Sequence, residues 1–350
     1  MAMPLHPLYG HEAVRERLAS AVATGSLPQS LLLEGPRGVG KQRLALWLAQ
    51  ALLCEREGGR GVPCGQCRPC HLVVGLIHPD VHWFVPVEPP KRAGDADKQV
   101  ELLEESLAEE LSRRRGDPFY EPPSGMATHG IASVRLMLRR LALTPAMAGM
   151  KVFIIGDAER LIPQAGSEQA ANALLKALEE PPHDTQFVLT AQDPEALLPT
   201  VRSRVVRVRM QRLSDSVVTA FVQNELPDRV PAAMVSQIVT AADGCPGRVL
   251  AKQGDREEGA GAGKLWDAGA EPVARYALAL AQRPFEARGA FSDMLDGLVE
   301  RLRSELRAGG DTAKIMRAIA RVMDARDMAR GNVNPQLLAA VLAEDLGAES

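Results

Sequence analysis

Leu31-Leu32-Leu33-Glu34-Gly35-Pro36-Arg37-Gly38-Val39-Gly40-Lys41-Gln42 is the stretch that decides the fold. An apolar run enters a glycine-rich loop, and a Leu- and Ala-rich helical segment, Arg43 to Leu53, leaves it. Strand, glycine loop and helix N-terminus form the setting of a phosphate-binding loop. Glycines let backbone N–H groups converge on phosphate oxygens, and the helix dipole favours the anion. Gly35, Gly38 and Gly40 supply the turns, and Lys41 would reach the outer phosphates. The next position departs from the motif. A Ser or Thr hydroxyl there ligates Mg²⁺, whereas the longer amide of Gln42 is a poor member of a compact octahedral shell. The loop keeps its phosphate-holding features, but its residues argue against a working ATP–Mg²⁺ site.

Working outward, three more short apolar runs alternate with helical segments: Lys151–Ile155, Phe187–Thr190 and Val205–Met210. This alternation predicts buried strands of a mostly parallel α/β sheet over residues 1–210. Residues 211–255 read as helices only, Ser214–Asn224 and Pro231–Ala242, the second ended by Gly244. A Glu-, Gly- and Ala-rich connection, 256–263, precedes an all-helical region over 264–350, where Leu298, Leu302 and Leu306, then Ile315, Ile319 and Val322, recur at helical spacing. At roughly 100–200 residues per domain, the 350-residue chain accommodates two or three domains.

Composition excludes several classes. Apolar residues make up 46% and charged residues 24%, which is globular rather than disordered. No apolar run reaches the ~18 residues of a membrane span, and Met1 to Gly10 lacks the pattern of a secretory signal. A net charge of −3 rules out a wholly basic nucleic-acid coat, and 4% aromatics leave few stacking platforms.

One segment stands apart. Residues 88–121 hold ten acidic and six basic residues among 34. Val100, Leu103, Leu107 and Leu111 fall on one helical face, with Gly116 as a stop. The expectation is a solvated helical insertion with flexible flanks; the single apolar stripe also permits a partner-binding helix.

Lys151–Ile155 runs into Gly156-Asp157-Ala158-Glu159. In phosphate-loop ATPases this strand end carries an Asp for Mg²⁺ and then a Glu that orients water. Gly156 falls at the metal position and Asp157 at the second. Asp157 either orients a water from a shorter side chain or opens a helix as its N-cap; the residues leave both open. Gln42 and Gly156 both strike the metal, which argues against efficient hydrolysis.

Four of five cysteines cluster as Cys54, Cys64, Cys67 and Cys70, with nine, two and two residues between them. Without a signal peptide, disulfides are disfavoured. The two-residue spacing lets thiolates converge on one tetrahedral ion, so a closed, structural Zn²⁺ site is expected. An Fe–S cluster is the competitor, and nothing else here suggests redox chemistry. Cys245 reads as a small buried side chain.

Further signatures follow in order: Tyr9-Gly10-His11-Glu12, the glycine loop, the four-cysteine knuckle and His78-Pro79-Asp80. Asn172-Ala173-Leu174-Leu175-Lys176-Ala177-Leu178-Glu179-Glu180-Pro181-Pro182 and Ser203-Arg204 complete the series. With these, the chain resembles the bacterial DNA polymerase III clamp-loader subunits of the AAA+ class. Its damaged nucleotide motifs are similar to those of the delta-prime branch rather than the gamma/tau motor branch. The resemblance implies a Rossmann-like AAA+ domain (1–210, with the knuckle at 54–70), a small helical lid (211–255) and a helical collar (264–350). It implies a cytoplasmic subunit that meets motor and delta partners and reaches the sliding clamp and primer–template DNA through the assembly. It also implies that Arg204 is an arginine finger given in trans to a neighbour's ATP, since guanidinium stabilises charge spreading over phosphate. Read from the residues alone, Arg202, Arg204, Arg207 and Arg209 form a solvated or paired basic strand. Thr190 and Gln192 sit near the family's phosphate-sensing position or fill core and capping roles. Arg248 lies one position from the motor's second-sensor arginine and is left unassigned. Two other functions compete: an active motor-type ATPase using Lys41 and Asp157, and a zinc-bearing DNA-binding module.

Overall fold

The computed structural model of the chain describes residues 5–56, 61–88, 95–117, 119, 127–147, 149–161, 168–249, 266, 277, 287–307, 309–329 and 334–348. The described residues up to 249 form one compact unit, and those from 266 onward form another.

The first unit is built on five parallel strands: β1 (Ser30–Glu34), β2 (Val81–Phe84), β3 (Lys151–Ile155), β4 (Thr185–Ala191) and β5 (Val206–Arg209). Their order across the sheet is β2-β3-β4-β1-β5. Every residue of β3 and β4 is buried. Parallel strands covered on both faces need such unbroken apolar runs, which is why these segments do not alternate. Phe153 of β3 packs between Phe84 of β2 and Phe187 of β4, with ring centroids 6.4 and 5.4 Å away. After β1 the chain crosses to the far side of the sheet, returns strand by strand to β4, and then hops over β1 to β5. The carboxyl ends of β1, β3 and β4 therefore meet at a topological switch point, where open α/β sheets bind ligands.

Helix α1 (Glu12–Thr24) precedes β1, and α2 (Lys41–Leu53) follows the glycine loop and buries Leu44, Leu46 and Leu48. The short α3 (Arg68–Val74) carries Cys70. His78-Pro79-Asp80 leads into β2, which the sequence reading did not identify as a strand. Asp80 is buried and accepts the backbone N–H groups of Ala146 (2.5 Å) and Met147 (2.8 Å), so this signature is scaffold. α6 (Glu168–Glu179) buries Leu174, Ala177 and Leu178, then stops before Pro181-Pro182, as expected of Pro. α7 (Pro199–Arg202) leads to Arg204 and β5.

The charged segment forms the expected helix, exposed along much of its polar face, and its apolar stripe adds to the core. Its helix α4 (Ala96–Gly116) ends at the expected Gly116, with Asp95 accepting the Lys98 N–H as N-cap. Val100, Leu103 and Leu107 are at most 3% exposed and belong to the main core. They pack with α5 (Ile131–Leu141), and Arg140 of α5 pairs with Glu104 at 2.6 Å. The expected flexible flanks fall largely outside the described residues.

Beyond β5, α8 (Asp215–Glu225) and α9 (Val235–Ala242) close a separate small core of Val218, Phe221, Val222, Leu226 and Val239. Cys245 is fully buried, as expected. The second unit contains helices Ala287–Arg307, Thr312–Ala329 and Pro335–Ala348 around Leu298, Leu302, Ile315, Val322 and Leu342. The connection expected at 256–263 lies outside the described residues. No helix among the described residues is long and apolar enough to cross a membrane.

If α4 is core, Leu107→Ala removes buried methyl groups and costs about 2–5 kcal/mol. A solvated position would lose within about 0.5 kcal/mol. Urea unfolding of the two chains distinguishes these outcomes.

Candidate functional site

The phosphate loop lies at the end of β1, and its glycines are structurally required. Gly35 (φ 155°) runs so close to the chain after β5 that a Cβ there would lie 2.6 Å from the Met210 carbonyl oxygen. Gly38 (φ 79°) accepts the backbone N–H of Gly247 at 2.9 Å, and a Cβ on Gly247 would sit 2.8 Å from the Gly38 Cα. The loop is thus stapled to the Pro246–Arg248 turn after α9. On its other side His11, itself left-handed, places Nε2 2.9 Å from the Val39 carbonyl oxygen. Tyr9 of the same signature donates to Glu225 of α8 at 2.6 Å.

Lys41 is buried, and its Nζ donates to the loop's own carbonyls, Gly35 O at 2.7 Å and Pro36 O at 2.8 Å. Burial lowers its pKa, while Asp157 and then Glu159 work the other way. Gln42 lies under the end of β3. Its Nε2 is 3.4 Å from Asp157 Oδ2, and its Oε1 accepts from Arg114 of α4 at 3.4 Å. A Cβ on Gly156 would stand 3.0 Å from Gln42 Nε2. The Gln42 amide therefore occupies the space beside Gly156 into which a metal-binding Asp would project. Mg²⁺ demands oxygen ligands in near-ideal octahedral geometry. An amide turned toward a carboxylate and a guanidinium does not supply it, and these residues do not fit a Mg²⁺–nucleotide complex.

Asp157 has a left-handed backbone (φ 49°) and precedes the short 3₁₀ turn Ala158–Arg160. It stands at the N-cap position, but its side chain caps nothing; instead its backbone N–H donates to the buried Thr190 Oγ1 at 3.0 Å. Glu159 and His129 were not singled out in the sequence. Glu159 accepts the Gln192 backbone N–H at 2.8 Å through one oxygen, while its other oxygen is buried without a hydrogen-bond partner. Burial, then the nearby Asp157, pushes its carboxyl up to about 7. His129 is buried against the Gly156 carbonyl oxygen (Nε2 at 2.6 Å), and burial lowers its pKa. The signal for Glu159 was its place two residues past Asp157 at a strand end; nothing near His129 marked it.

The four cysteines come together as the spacing required. Their sulfur atoms all lie within 4.8 Å of one another, and the group could hold a metal ion. Cys54 ends α2, Cys64 and Cys67 flank a turn through Gly65 (φ 70°), and Cys70 lies in α3. The backbone N–H groups of Gln66 and Cys67 point at Cys64 Sγ from 3.4 and 3.3 Å and push this thiol down to about 6. Burial, then Cys67, pushes Cys70 up. Gly61 (φ 90°) lets the knuckle lie on α1, where a Cβ would meet the Ala19 carbonyl oxygen.

The hydrogen bonds of Arg204 run to residues outside the loop. Its Nε and Nη2 donate to Glu179 Oε2 at 3.0 and 2.9 Å, and its Nη1 donates to the Thr200 carbonyl at 2.9 Å. The Glu179 side chain is 57% exposed, so this pair holds Arg204 by no more than about 1 kcal/mol. Arg202 pairs with Glu195, and Arg207 with Glu34 and Glu195.

The family described as "DNA polymerase III, delta subunit" matches residues 10–214, which carry the sheet, the loop, the knuckle and Arg204. The chain belongs to this family. It is 31% identical over 229 residues to the DNA polymerase III subunit delta′ of Pseudomonas aeruginosa, covering 65% of this chain and 57% of that one. It is 29% identical over 241 residues to the Escherichia coli delta′ subunit, covering 69% and 59%. The DNA polymerase III subunit tau of Escherichia coli is 29% identical over 204 residues, 58% of this chain and 25% of that one. The matched stretch thus spans a little over half of these two delta′ relatives. The α/β fold with a parallel sheet, a cysteine cluster and a helical C-terminal region is as the resemblance implied.

The Glu159 carboxyl yields a prediction with a definite sign. Folded, it keeps its proton to about pH 7; unfolded, it releases it near 4.5. Between these values the folded chain binds more protons, so stability falls as pH rises through the window, by up to roughly 3 kcal/mol. Glu159→Gln should flatten that slope in urea titrations from pH 4.5 to 7.5. An unchanged slope would place its origin elsewhere.

Proposed function

We propose that this chain is the delta-prime subunit of a bacterial replicative clamp loader. It would help place the sliding clamp on primer–template DNA in company with gamma/tau motor and delta subunits, in the cytoplasm. The observation that carries this reading is a contrast within one domain. The family's loop is kept, its metal position is filled by Gln42, and Arg204 remains on a weak, exposed latch. A chain that cannot use Mg²⁺–ATP itself can still give a guanidinium to a neighbour's ATP, and the Glu179 latch is cheap to exchange for phosphate. Residues 211–255 would serve as the lid and 264–350 as the collar of the assembly.

The knuckle would hold structural Zn²⁺. Four thiolates on 2.3 Å arms make a tetrahedron with edges of about 3.8 Å, and Cys54 Sγ and Cys67 Sγ already stand 3.9 Å apart. All four positions would be filled by protein, leaving no open site for chemistry.

ATP hydrolysis by the chain alone and in the reconstituted assembly tests the reading. The chain alone should be inert. Arg204→Ala should assemble normally yet lower turnover at the interface it faces by about 10³-fold. Robust turnover by the chain alone would make it a motor, and assembled turnover indifferent to the substitution would leave Arg204 a surface residue. Separately, the purified chain should carry one Zn²⁺ by elemental analysis. Cys67→Ser should lose it and cost several kcal/mol in thermal unfolding; iron in its place would overturn the assignment.

A further inference from the structure

Arg114 of helix α4 reaches Gln42, at the end of the phosphate loop. Glu110 and Arg114, one turn apart, pair at 3.0 Å with side chains only 8% and 14% exposed. The guanidinium lies over the Trp83 ring of β2, 5.3 Å from its centroid. It then donates to Gln42 Oε1, and the other end of that amide faces Asp157. The result is a continuous chain, Glu110–Arg114–Gln42–Asp157, running from the charged segment to the end of β3. A guanidinium is always charged and planar, and it is more easily desolvated than an ammonium, which suits it to a buried place of this kind. Its two neighbours fix its position: Glu110 from its own helix and the Trp83 face from the sheet.

We propose that Arg114 is the built-in cation of this phosphate loop, and that it excludes Mg²⁺ from the position beside residue 42. Gln42 alone would only weaken a metal site. Arg114 makes the site hostile to a divalent ion, because a fixed positive charge stands one side chain from where that ion would bind, in a partly buried setting that water screens poorly. The orientation of the Gln42 amide follows from the same arrangement, with its oxygen toward the cation and its nitrogen toward Asp157. The charged segment 88–121 then has a task within its own domain: it brings a cation to the loop. The inference concerns this chain's own loop and stands whether or not Arg204 acts in trans.

The test measures ATP affinity of the full chain by calorimetry, once with Mg²⁺ and once with EDTA. The variants are Gln42→Thr, Gln42→Thr with Arg114→Met, and a third that adds Glu110→Gln so that the charge facing Arg114 is neutralised together with it. Met keeps an apolar body against Trp83. Restoring the hydroxyl alone should leave affinity indifferent to Mg²⁺. Removing Arg114 as well should make Mg²⁺ strengthen ATP binding by about tenfold or more, in the triple variant even if the double folds poorly. Gln42→Thr with Arg114→Lys keeps the charge and should stay indifferent. Two results would overturn the proposal: Mg²⁺ dependence appearing fully with Gln42→Thr alone, or a folded triple variant that still ignores Mg²⁺.

Discussion

The amide of Gln42 is the contact on which the character of this loop depends. It fills the space beside Gly156, faces Asp157 at one end and meets Arg114 at the other. Two departures that read in sequence as independent defects, Gln42 and Gly156, are in space one arrangement. Gly156 leaves the room that Gln42 takes, and an aspartate at 156 would crowd the amide while adding a second carboxylate beside Asp157. The side chains of Gln42, Asp157 and Arg114 thus meet at the end of β3.

The rest of the loop is built as a junction. Lys41 turns back on the carbonyls of Gly35 and Pro36, Gly38 is bonded to Gly247, and Val39 is held by His11. The signature at Tyr9–Glu12 joins the loop to α8, and the turn after α9 closes over Gly38. A phosphate loop with Gln42 in place of the motif's hydroxyl thus still ties together the sheet, the N-terminal segment and the small helical core. That gives a physical reason for the glycines to be kept where the hydroxyl is not. Arg204 lies apart from the loop, between α7 and β5, where it pairs with Glu179 and donates to the Thr200 carbonyl.

Much of this was legible in the residues. The unbroken apolar runs announced β1, β3 and β4 because strands buried on both faces have no alternation to hide them. The cysteine spacing announced the knuckle because the geometry is local. β2 was missed: Val81-His82-Trp83-Phe84 is four residues long and contains a histidine, so it carries neither period nor a long apolar run. The charged segment was legible only in part. Its helix, apolar face and exposed charges could be read from the residues, but not that Val100, Leu103 and Leu107 join the main core. The partners of Gln42 and Arg204 could not be read at all. Arg114 is 72 positions from Gln42, and Glu179 is 25 from Arg204; only the topology brings them together.

If Gln42 and Arg114 occupy the metal's place, as proposed, the loop holds no Mg²⁺–nucleotide. The most direct measurement is a calorimetric titration of the wild-type chain with ATP in the presence of Mg²⁺. No Mg²⁺-dependent binding should appear at concentrations that saturate ordinary phosphate-loop ATPases. Tight binding that disappears on adding EDTA would contradict it.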